Sequence, residues 1–452
     1  MRRPLSALLV VVLVASCSDD AASPDADVGP GPDHAVTDGI QPSETTTTPD
    51  GSPGDAALSD AGPTPDLPPG SWIVVPDDHA TIGAAVAAAS AGQTIVVKAG
   101  TYPEQVDVDK SVDIIAFGNG PVWVDAACTR THCIRVTASQ VKLKGLGCQN
   151  SIDAGVLIEN GAGNVTLEGM TIEDFDCKNQ GPEYRAGVGA WYAGSKITLL
   201  NNTVTRRVKL TGGLAGGKSN CVWFKSTNSS PSGGGHLIKG NKLSGCYDCI
   251  GGETESDIHG CFDKDTVIEN NTISDCYDDG IQVEGGTQNV VVRNNTIKRA
   301  AIGIASAGAQ TGPLTIEKNT ITEGKPGYYD FSTCFKIGKT GAGTTYFTDN
   351  TCILSGSNCL APGGMGCGGW SQTNSGLNTI VTKGNKISTS YYVIELSGPP
   401  AAGTSFDNDC LHTTDTTRFV KWNGQQYDDL AAFQSATGQE NNGTQSSSCS
   451  TP

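Results

Sequence analysis

The chain has 452 residues, 58 of them glycine, and a formal net charge of −17 at pH 7. Residues 18–70 hold eleven acidic residues and no lysine or arginine, so residues 71–452 carry only about −8. This balance argues against nucleic acid as a partner, because nucleic-acid binding requires a basic surface. It leaves an anionic polysaccharide open, since a local basic patch or a bound cation can reverse the sign inside one groove.

The first 17 residues have the pattern of an export signal. A basic start, Met1-Arg2-Arg3, precedes an apolar stretch too short to span a bilayer and the small residues Val14-Ala15-Ser16-Cys17. This closing tetrapeptide resembles a bacterial lipobox, which implies a lipid on Cys17 and a membrane anchor. The alternative is plain secretion with Cys17 discarded. Both interpretations place the protein outside the cytoplasm, in the cell envelope or secreted.

Residues 18–70 are predicted to be a disordered tether. Ten of the 22 prolines lie there, together with the run Thr45-Thr46-Thr47-Thr48. Such a segment is extended and cannot bury a core. Residues 71–452 are therefore expected to be the folded domain.

An asparagine repeat organises this domain. Seven times the chain has Asn, one residue, and then an apolar residue or Cys, with gaps of 39, 30, 24, 24, 31 and 35 residues; the asparagines are Asn202, Asn241, Asn271, Asn295, Asn319, Asn350 and Asn385. A repeat with variable inserts predicts a solenoid, in which equivalent amides bond one another and the turn carbonyls. The alternative is a set of glycosylation acceptors.

Short β-branched runs precede the asparagines, as in Val290-Val291-Val292 and Leu314-Thr315-Ile316. Runs of this length, bounded by Asn, Gly and Asp, predict strands that must stack on their copies in the next coil. The fold class is therefore expected to be all-β, with parallel sheets wound into a helix.

Three stretches resemble the right-handed parallel β-helix proteins of the pectate-lyase-like superfamily. They are the N-terminal segment Ile73 to Glu104, the asparagine repeat with Asp279-Gly280-Ile281, and the C-terminal segment Phe419 to Gly438. The resemblance implies a right-handed parallel β-helix solenoid with a short N-terminal capping helix. It says less about chemistry, since one fold hosts many reactions and also none.

The candidate catalytic residues are Asp248, Asp278, Asp279 and Lys336. The segments Cys246-Tyr247-Asp248 and Cys276-Tyr277-Asp278 are expected to lie one coil apart, which would bring Asp248 to roughly 4.8 Å from Asp278. Carboxylates this close do not ionise together, so one acts as acid and another as base, as glycoside hydrolysis requires. The alternative is structural, because Asp before Gly favours a turn.

The aspartates also resemble those of the polygalacturonase family. Asp248 matches the first family aspartate, and Asp278 and Asp279 match the following pair. Ile302-Gly303-Ile304 occupies the place of the family's Gly-His-Gly, and Lys336-Ile337 that of its basic motif. The resemblance to polygalacturonases is partial, since the family's histidine and arginine are missing.

A predicted substrate-binding set follows from strand alternation. Outward positions on aligned strands are expected to be Trp223, Lys225, Gln282, Glu284 and Lys336. Tryptophan stacks on sugar rings, and lysine pairs with a uronate carboxylate or abstracts the neighbouring proton. Such a set would suit a lyase or epimerase. The alternative is a row of solvated charges.

The loop from Glu253 to Asp265 is the densest acidic cluster of the domain, and Asp257, Asp263 and Asp265 are weak candidate ligands for Ca²⁺. No other cofactor is expected.

Fifteen cysteines beyond Cys17 favour disulfides in an exported chain, and their odd number requires one that stays free or pairs between chains. Candidate pairs are Cys246–Cys276, Cys410–Cys449 and Cys128–Cys133.

The sequence thus predicts an exported, lipid-tethered, monomeric β-helix that binds and cleaves or remodels polysaccharide, as a glycoside hydrolase or polyuronate lyase. The alternative is a non-catalytic carbohydrate-binding or adhesin-like surface module.

Overall fold

The computed structural model describes residues 72–179, 185–206, 219–226, 233–254, 262, 264–285, 287–308, 311–325, 331–354, 359, 366–373 and 375–451. The predicted signal segment, Cys17 and the predicted tether lie outside the described residues.

Short strands separated by turns make up nearly all of the described chain, with two α-helices. In chain order the elements are β1 Trp72–Val75, α1 Ile82–Ala88, β2 Thr94–Tyr102, β3 Val106–Val108, β4 Asp113–Asp125, β5 Ile134–Val136, β6 Val141–Lys144, β7 Leu146–Gln149, β8 Val156–Glu159, β9 Val165–Glu168, β10 Thr171–Glu173, β11 Arg185–Trp191, β12 Ile197–Leu200, β13 Thr203–Thr205, β14 Ser219–Ser226, β15 Leu237–Lys239, β16 Lys242–Ser244, β17 Ile250–Thr254, β18 Val267–Glu269, β19 Thr272–Gln282, β20 Val290–Arg293, β21 Thr296–Ala305, β22 Leu314–Glu317, β23 Thr320–Thr322, β24 Phe331–Ile337, β25 Thr344–Thr348, β26 Thr351–Ile353, β27 Gly366–Gln372, β28 Thr379–Lys383, β29 Lys386–Thr389, β30 Ile394–Glu395, β31 Ser405–Asp407, β32 Cys410–Thr413, β33 Val420–Trp422, β34 Gln425–Tyr427, α2 Leu430–Thr437 and β35 Thr444–Gln445, followed by a 3-10 helix Ser447–Ser450.

The strands stack in three parallel sheets. The sheet we call the site sheet runs β3, β5, β8, β11, β14, β17, the end of β19, the end of β21, β24, β27, β30 and β33. The second sheet runs from β1 to β31 and the third from the end of β2 to β35. Each coil contributes one strand to each sheet, so successive coils are about 4.8 Å apart. The all-β parallel β-helix predicted from the repeat is confirmed.

The predicted asparagine column is present between the second and third sheets. Each of the seven repeat asparagines is at most 2% exposed. In every coil from Asn202 to Asn350 the backbone N–H and the Nδ2 group donate to the Oδ1 atom of the next asparagine over 2.9–3.0 Å. The second Nδ2 proton goes to a carbonyl, for example that of Ile268 from Asn295 over 3.0 Å. The repeat therefore satisfies buried backbone groups at a turn.

The column ends on carboxyl groups that the sequence pattern does not include. Asn385 donates its N–H and Nδ2 groups to Asp409 Oδ1 over 2.7 and 2.8 Å, and the Asp409 N–H donates to Glu440 Oε2 over 3.1 Å. Burial, reinforced by the charge of Asp409, raises the pKa of Glu440 to about 9. Asp409 lies 24 residues after Asn385, the shortest repeat spacing, and this spacing was the available signal.

The two helices lie at opposite ends of the chain. In α1, Thr81 Oγ1 accepts the Ala84 N–H over 3.1 Å, and the Glu104 carboxylate accepts the N–H groups of Ile82 and Gly83 over 2.8 Å. Ile82 and two further residues of α1 are buried. In α2, the Asp429 side chain accepts the Ala432 N–H, and Leu430 and Phe433 are buried.

Interior side chains fill the space between the sheets. Toward the C-terminus they form a continuous chain of aromatic contacts with centroids 4.9–5.5 Å apart: Phe347, Phe335, Trp370, Phe406, Trp422 and Phe433.

None of the described helices is long and apolar enough to cross a membrane.

All fourteen described cysteines form disulfides. The pairs are Cys128–Cys177, Cys133–Cys148, Cys221–Cys246, Cys249–Cys276, Cys334–Cys352, Cys359–Cys367 and Cys410–Cys449. Seven such bonds are typical of a protein that folds in an oxidising compartment.

One of the three predicted pairs, Cys410–Cys449, is confirmed. The pairs Cys246–Cys276 and Cys128–Cys133 are wrong. Cys246 and Cys276 do stack in adjacent coils, since the Tyr277 N–H donates to the Cys246 carbonyl. Their sulfur atoms bond sideways to the start of site-sheet strands, to Cys221 and Cys249 respectively, rather than along the stack.

Candidate active site

Three aspartates come together where the chain enters the site sheet. Asp248 precedes β17, and Asp278 and Asp279 lie in β19, one coil later. The pairing of β19 with β21 shifts register between Cys276 and Asp279. This irregularity matters because consecutive side chains of a regular strand point to opposite faces, whereas a bulge re-aims one of them. One carboxylate oxygen from each aspartate lies within 4.8 Å of the others. We call this group the acid cluster.

Backbone hydrogen bonds fix the positions of two members of the acid cluster. The Asp248 Oδ1 atom accepts the Asp279 N–H over 2.9 Å, and the Asp248 N–H donates to Asn220 Oδ1 over 3.0 Å. Asn220, Asp248 and Asp279 are 0%, 3% and 1% exposed, while Asp278 is partly exposed. Sequence reasoning missed Asn220 as a positioning residue. The available signal was Asn220-Cys221-Val222, which repeats as Asp248-Cys249-Ile250.

Asp279 has the most perturbed environment of the cluster. Burial raises its pKa well above the usual range, and the charges of Asp278, Asp248 and Glu284 act in the same direction. The Lys336 ammonium opposes the shift. The Oδ1 atom of Asp279 is buried and accepts no hydrogen bond in the described structure. Burial therefore favours the protonated form of the Asp279 carboxyl group, the form that a general acid needs.

A buried ion pair lies beside the acid cluster. Lys336 Nζ is 3.1 Å from Glu284 Oε1, and the two side chains are 4% and 7% exposed. Gln282 Nε2 donates to Glu284 Oε2 over 3.5 Å. Gln282 pairs with Ala305 and Ala305 with Lys336, so the predicted strand alignment holds, but Gln282 and Lys336 are each only 3% exposed. The ion pair places opposite charges together in a region that both side chains share with little solvent.

Trp223 and Lys225 lie on β14 in the predicted alignment, but they differ in exposure. Trp223 is fully buried, so its ring is not open to stack on a sugar, contrary to the prediction. A Cβ atom on Gly251, the partner of Trp223 in β17, would be 2.9 Å from Trp223 Cζ3. The indole therefore lies against this glycine. Lys225 is partly exposed, with its Nζ atom 4.8 Å from the centre of the Trp191 ring.

The predicted calcium ligands are only partly described. Asp257 and Asp263 lie outside the described residues, and Asp265 is exposed and accepts the Asn289 Nδ2 group over 2.8 Å. The acid cluster is the described group whose spacing suits a cation. Its carboxylates offer oxygens of the kind that Ca²⁺ binds in sets of six to eight, and the nearby Lys336 charge acts against a cation.

The two other segments matched to polygalacturonase motifs, at residues 302–304 and at Lys336, lie in different surroundings. Ile302 and Ile304 are buried apolar residues of the interior, so no titratable side chain stands at that place. Lys336, in contrast, is close enough to the acid cluster for its charge to affect Asp279.

Known proteins share the fold. The family model of the right-handed β-helix region matches residues 211–358. The catalytic domain of a GH87 alpha-1,3-glucanase, with one aspartate replaced by alanine and in complex with tetrasaccharides, superposes with a TM-score of 0.55 and 14% identity, covering 85% of this chain and 70% of that chain. A form of that domain with the preceding aspartate replaced gives a TM-score of 0.52 at 14% identity, covering 85% and 69%.

An alginate lyase from Paenibacillus sp. str. FPU-7 gives a TM-score of 0.48 at 17% identity, covering 68% of this chain and 98% of that chain. No curated protein sequence is similar enough to the chain to count as a relative. The matched region, the superposed glucanase fold and the three stacked sheets show that the chain folds as a right-handed parallel β-helix.

Proposed function

We propose that the protein hydrolyses glycosidic bonds in a polysaccharide, with the acid cluster as its catalytic centre. The observation that carries this proposal is the burial of Asp279 beside two carboxylates within 4.8 Å. Glycoside hydrolysis needs one carboxyl group that keeps its proton and a second that stays ionised, and different environments separate the two.

The hydrogen bonds support separate roles for Asp279 and Asp248. Asp279 is the general acid and gives its proton to the oxygen of the leaving sugar. Asp248 accepts a backbone N–H, which favours the ionised form of a carboxylate, so it is the base or nucleophile. Asp278 is the partly exposed member and connects the cluster to the surface. Gln282, Glu284 and Lys336 form the adjoining wall and hold the substrate.

The solved structures support a polysaccharide as the substrate. Both glucanase structures contain tetrasaccharides. Each has alanine in place of one of two consecutive aspartates. Asp278 and Asp279 are also consecutive. The likeness itself is one of fold, and the hydrolytic role rests on the geometry of the acid cluster.

The test is incubation of residues 71–452 with polygalacturonate, alginate and soluble α- and β-glucans. We expect reducing ends without absorbance at 235 nm, and a loss of at least about a hundredfold in Asp279→Asn. The matched control is Asp265→Asn, an exposed aspartate outside the cluster. Unchanged hydrolysis in Asp279→Asn would refute the assignment. Binding without cleavage of any polysaccharide would instead support the non-catalytic surface module.

A lyase is the second candidate, and the position of Lys336 beside the acid cluster favours it. In that reaction Lys336 would take the proton next to a uronate carboxylate, with Asp248, Asp278 and Asp279 holding a cation. A bound Ca²⁺ would neutralise the uronate carboxylate and acidify that proton. Absorbance at 235 nm that rises with reducing ends and disappears with EDTA would select the lyase.

We also propose the export route. Residues 1–17 act as the signal, Cys17 carries lipid, and residues 18–70 give the domain reach from the membrane; the helix α1 caps the first coil. Replacing Cys17 by serine should release the protein into the medium. Membrane retention of that variant would contradict the lipid anchor.

A further inference from the structure

Tyr192 combines two unusual properties. It is 42% exposed, and with Tyr346 at 39% it is one of two large apolar side chains exposed in the described part of the chain. Its backbone is left-handed, with φ of 54°. Among the described non-glycine residues with positive φ, Tyr192 is the only aromatic one.

The preceding coil shows which residue this turn favours. Trp191 pairs with Glu159, so Tyr192 occupies the place of Asn160, whose φ is 58°. Asparagine enters the left-handed region at low cost, whereas a bulky side chain is disfavoured there. Tyrosine at this turn therefore opposes the local backbone preference. Backbone strain of this kind is concentrated at functional sites in folded proteins.

The neighbouring residues extend the aromatic surface. A Cβ atom on Gly189 would be 3.0 Å from Trp191 Nε1 and 3.2 Å from Trp191 Cε2, so the indole lies against the sheet over this glycine. Trp191 and Lys225 are both partly exposed, and Lys225 Nζ is 4.8 Å from the ring centre. Tyr192 follows Trp191 directly in the chain, and Lys225 lies over the Trp191 ring; we call these three residues the aromatic platform.

The aromatic platform and the acid cluster belong to the same sheet. Trp191 lies on β11, two strand steps before β17, which is about 10 Å along the helix axis. Asp248 is hydrogen-bonded to Asn220, and Asn220 pairs with Ala186 of β11. Ala186 lies five residues before Trp191, which is about 17 Å along the strand. A glycan chain of several sugars spans such a distance.

We propose that the aromatic platform is a sugar-binding subsite that holds the polysaccharide at a distance from the acid cluster. The proposal deepens the proposed function and rests on it. Sugar rings present apolar C–H faces that stack on Tyr192 and Trp191, and Lys225 donates to hydroxyl or carboxylate oxygens. The subsite contributes to the binding of long chains and is too far from the acids to affect the bond-breaking step.

The test is affinity electrophoresis of residues 71–452 in gels that contain each polysaccharide named above. Tyr192→Asn inserts the residue that the preceding coil uses at this turn. We expect this variant to bind about three- to tenfold more weakly, with a melting temperature equal to or above that of the wild type. Trp191→Ala should weaken binding by a similar factor. Tyr346→Ala is the matched control, because Tyr346 is equally exposed but lies on β25 of the second sheet.

The outcomes separate this proposal from hydrolysis itself. Weaker binding in Tyr192→Asn and Trp191→Ala but not in Tyr346→Ala supports the subsite. Wild-type mobility of both Tyr192→Asn and Trp191→Ala overturns it even if Asp279 proves catalytic. Absence of retardation of the wild type in every gel overturns it as well, while the reducing-end assay still decides hydrolysis.

Discussion

Replacing Asn295 by alanine tests the asparagine column at its middle. Asn295 Oδ1 accepts both the N–H and the Nδ2 group of Asn271, and its own Nδ2 donates to Ile268 and Asn319. Alanine leaves the buried Asn271 N–H without its partner and removes one bond each from the Asn271 amide, the Asn319 Oδ1 atom and the Ile268 carbonyl. A buried group left without any partner costs about 1–3 kcal/mol, and a group that keeps other hydrogen bonds costs less. We therefore expect Asn295→Ala to lower the free energy of unfolding by about 2–5 kcal/mol.

The assay is equilibrium unfolding in guanidinium chloride followed by circular dichroism. Asn294→Gly is the matched control, because Asn294 is exposed and left-handed with φ of 55°, which glycine adopts freely. We expect this control to change the free energy of unfolding by less than about 0.5 kcal/mol. A loss in Asn295→Ala below about 1 kcal/mol, or equal to that of the control, would show that the column is not what stabilises the turn.

Three further predictions concern other features. The folded pKa of Glu440, about 9, exceeds its unfolded value of 4.5, so its contribution to stability is full below pH 4.5 and declines as pH rises toward 9. Glu440→Gln should therefore melt several degrees above the wild type at pH 9 and close to it at pH 4.5; parallel melting curves across that range would contradict this. If Asp279 is the general acid, hydrolysis should fall as pH rises through its raised pKa, and a rate that climbs steadily to pH 10 would assign the proton elsewhere. Gly251→Ala places a methyl group 2.9 Å from Trp223 and should lower the free energy of unfolding by about 1–3 kcal/mol. In the control Gly398→Ala the nearest atom is 3.7 Å away, so the loss should be less than about 0.5 kcal/mol. Equal unfolding midpoints of the two variants would refute this packing argument.

Features repeated along the chain were predictable. The asparagines recur with the coil, so their stacking and buried bonds followed from spacing alone. The proximity of Asp248 to Asp278 followed from the repeated Cys-Tyr-Asp segment, and the alignment of Gln282 with Lys336 followed from strand alternation.

Features that depend on contacts across a coil were not predictable in the same way. Periodicity gives the neighbour above and below, whereas the disulfides of Cys246 and Cys276 run sideways to the site sheet. Alternation gave the side of the sheet for Trp223 but not its burial, which depends on packing over Gly251. The Asn-based pattern did not include Asp409, because an aspartate stands in the last position of the column instead of an asparagine.

Successive coils make the same asparagine hydrogen bonds, and this affects how the chain can change in length. Between Asn271 and Asn319 two consecutive coils of 24 residues make the same bonds to the coil above and the coil below. A tandem duplication of one such unit would meet compatible partners on both sides and leave every other rung intact. Adding one 24-residue coil would therefore lengthen all three sheets without disturbing residues elsewhere.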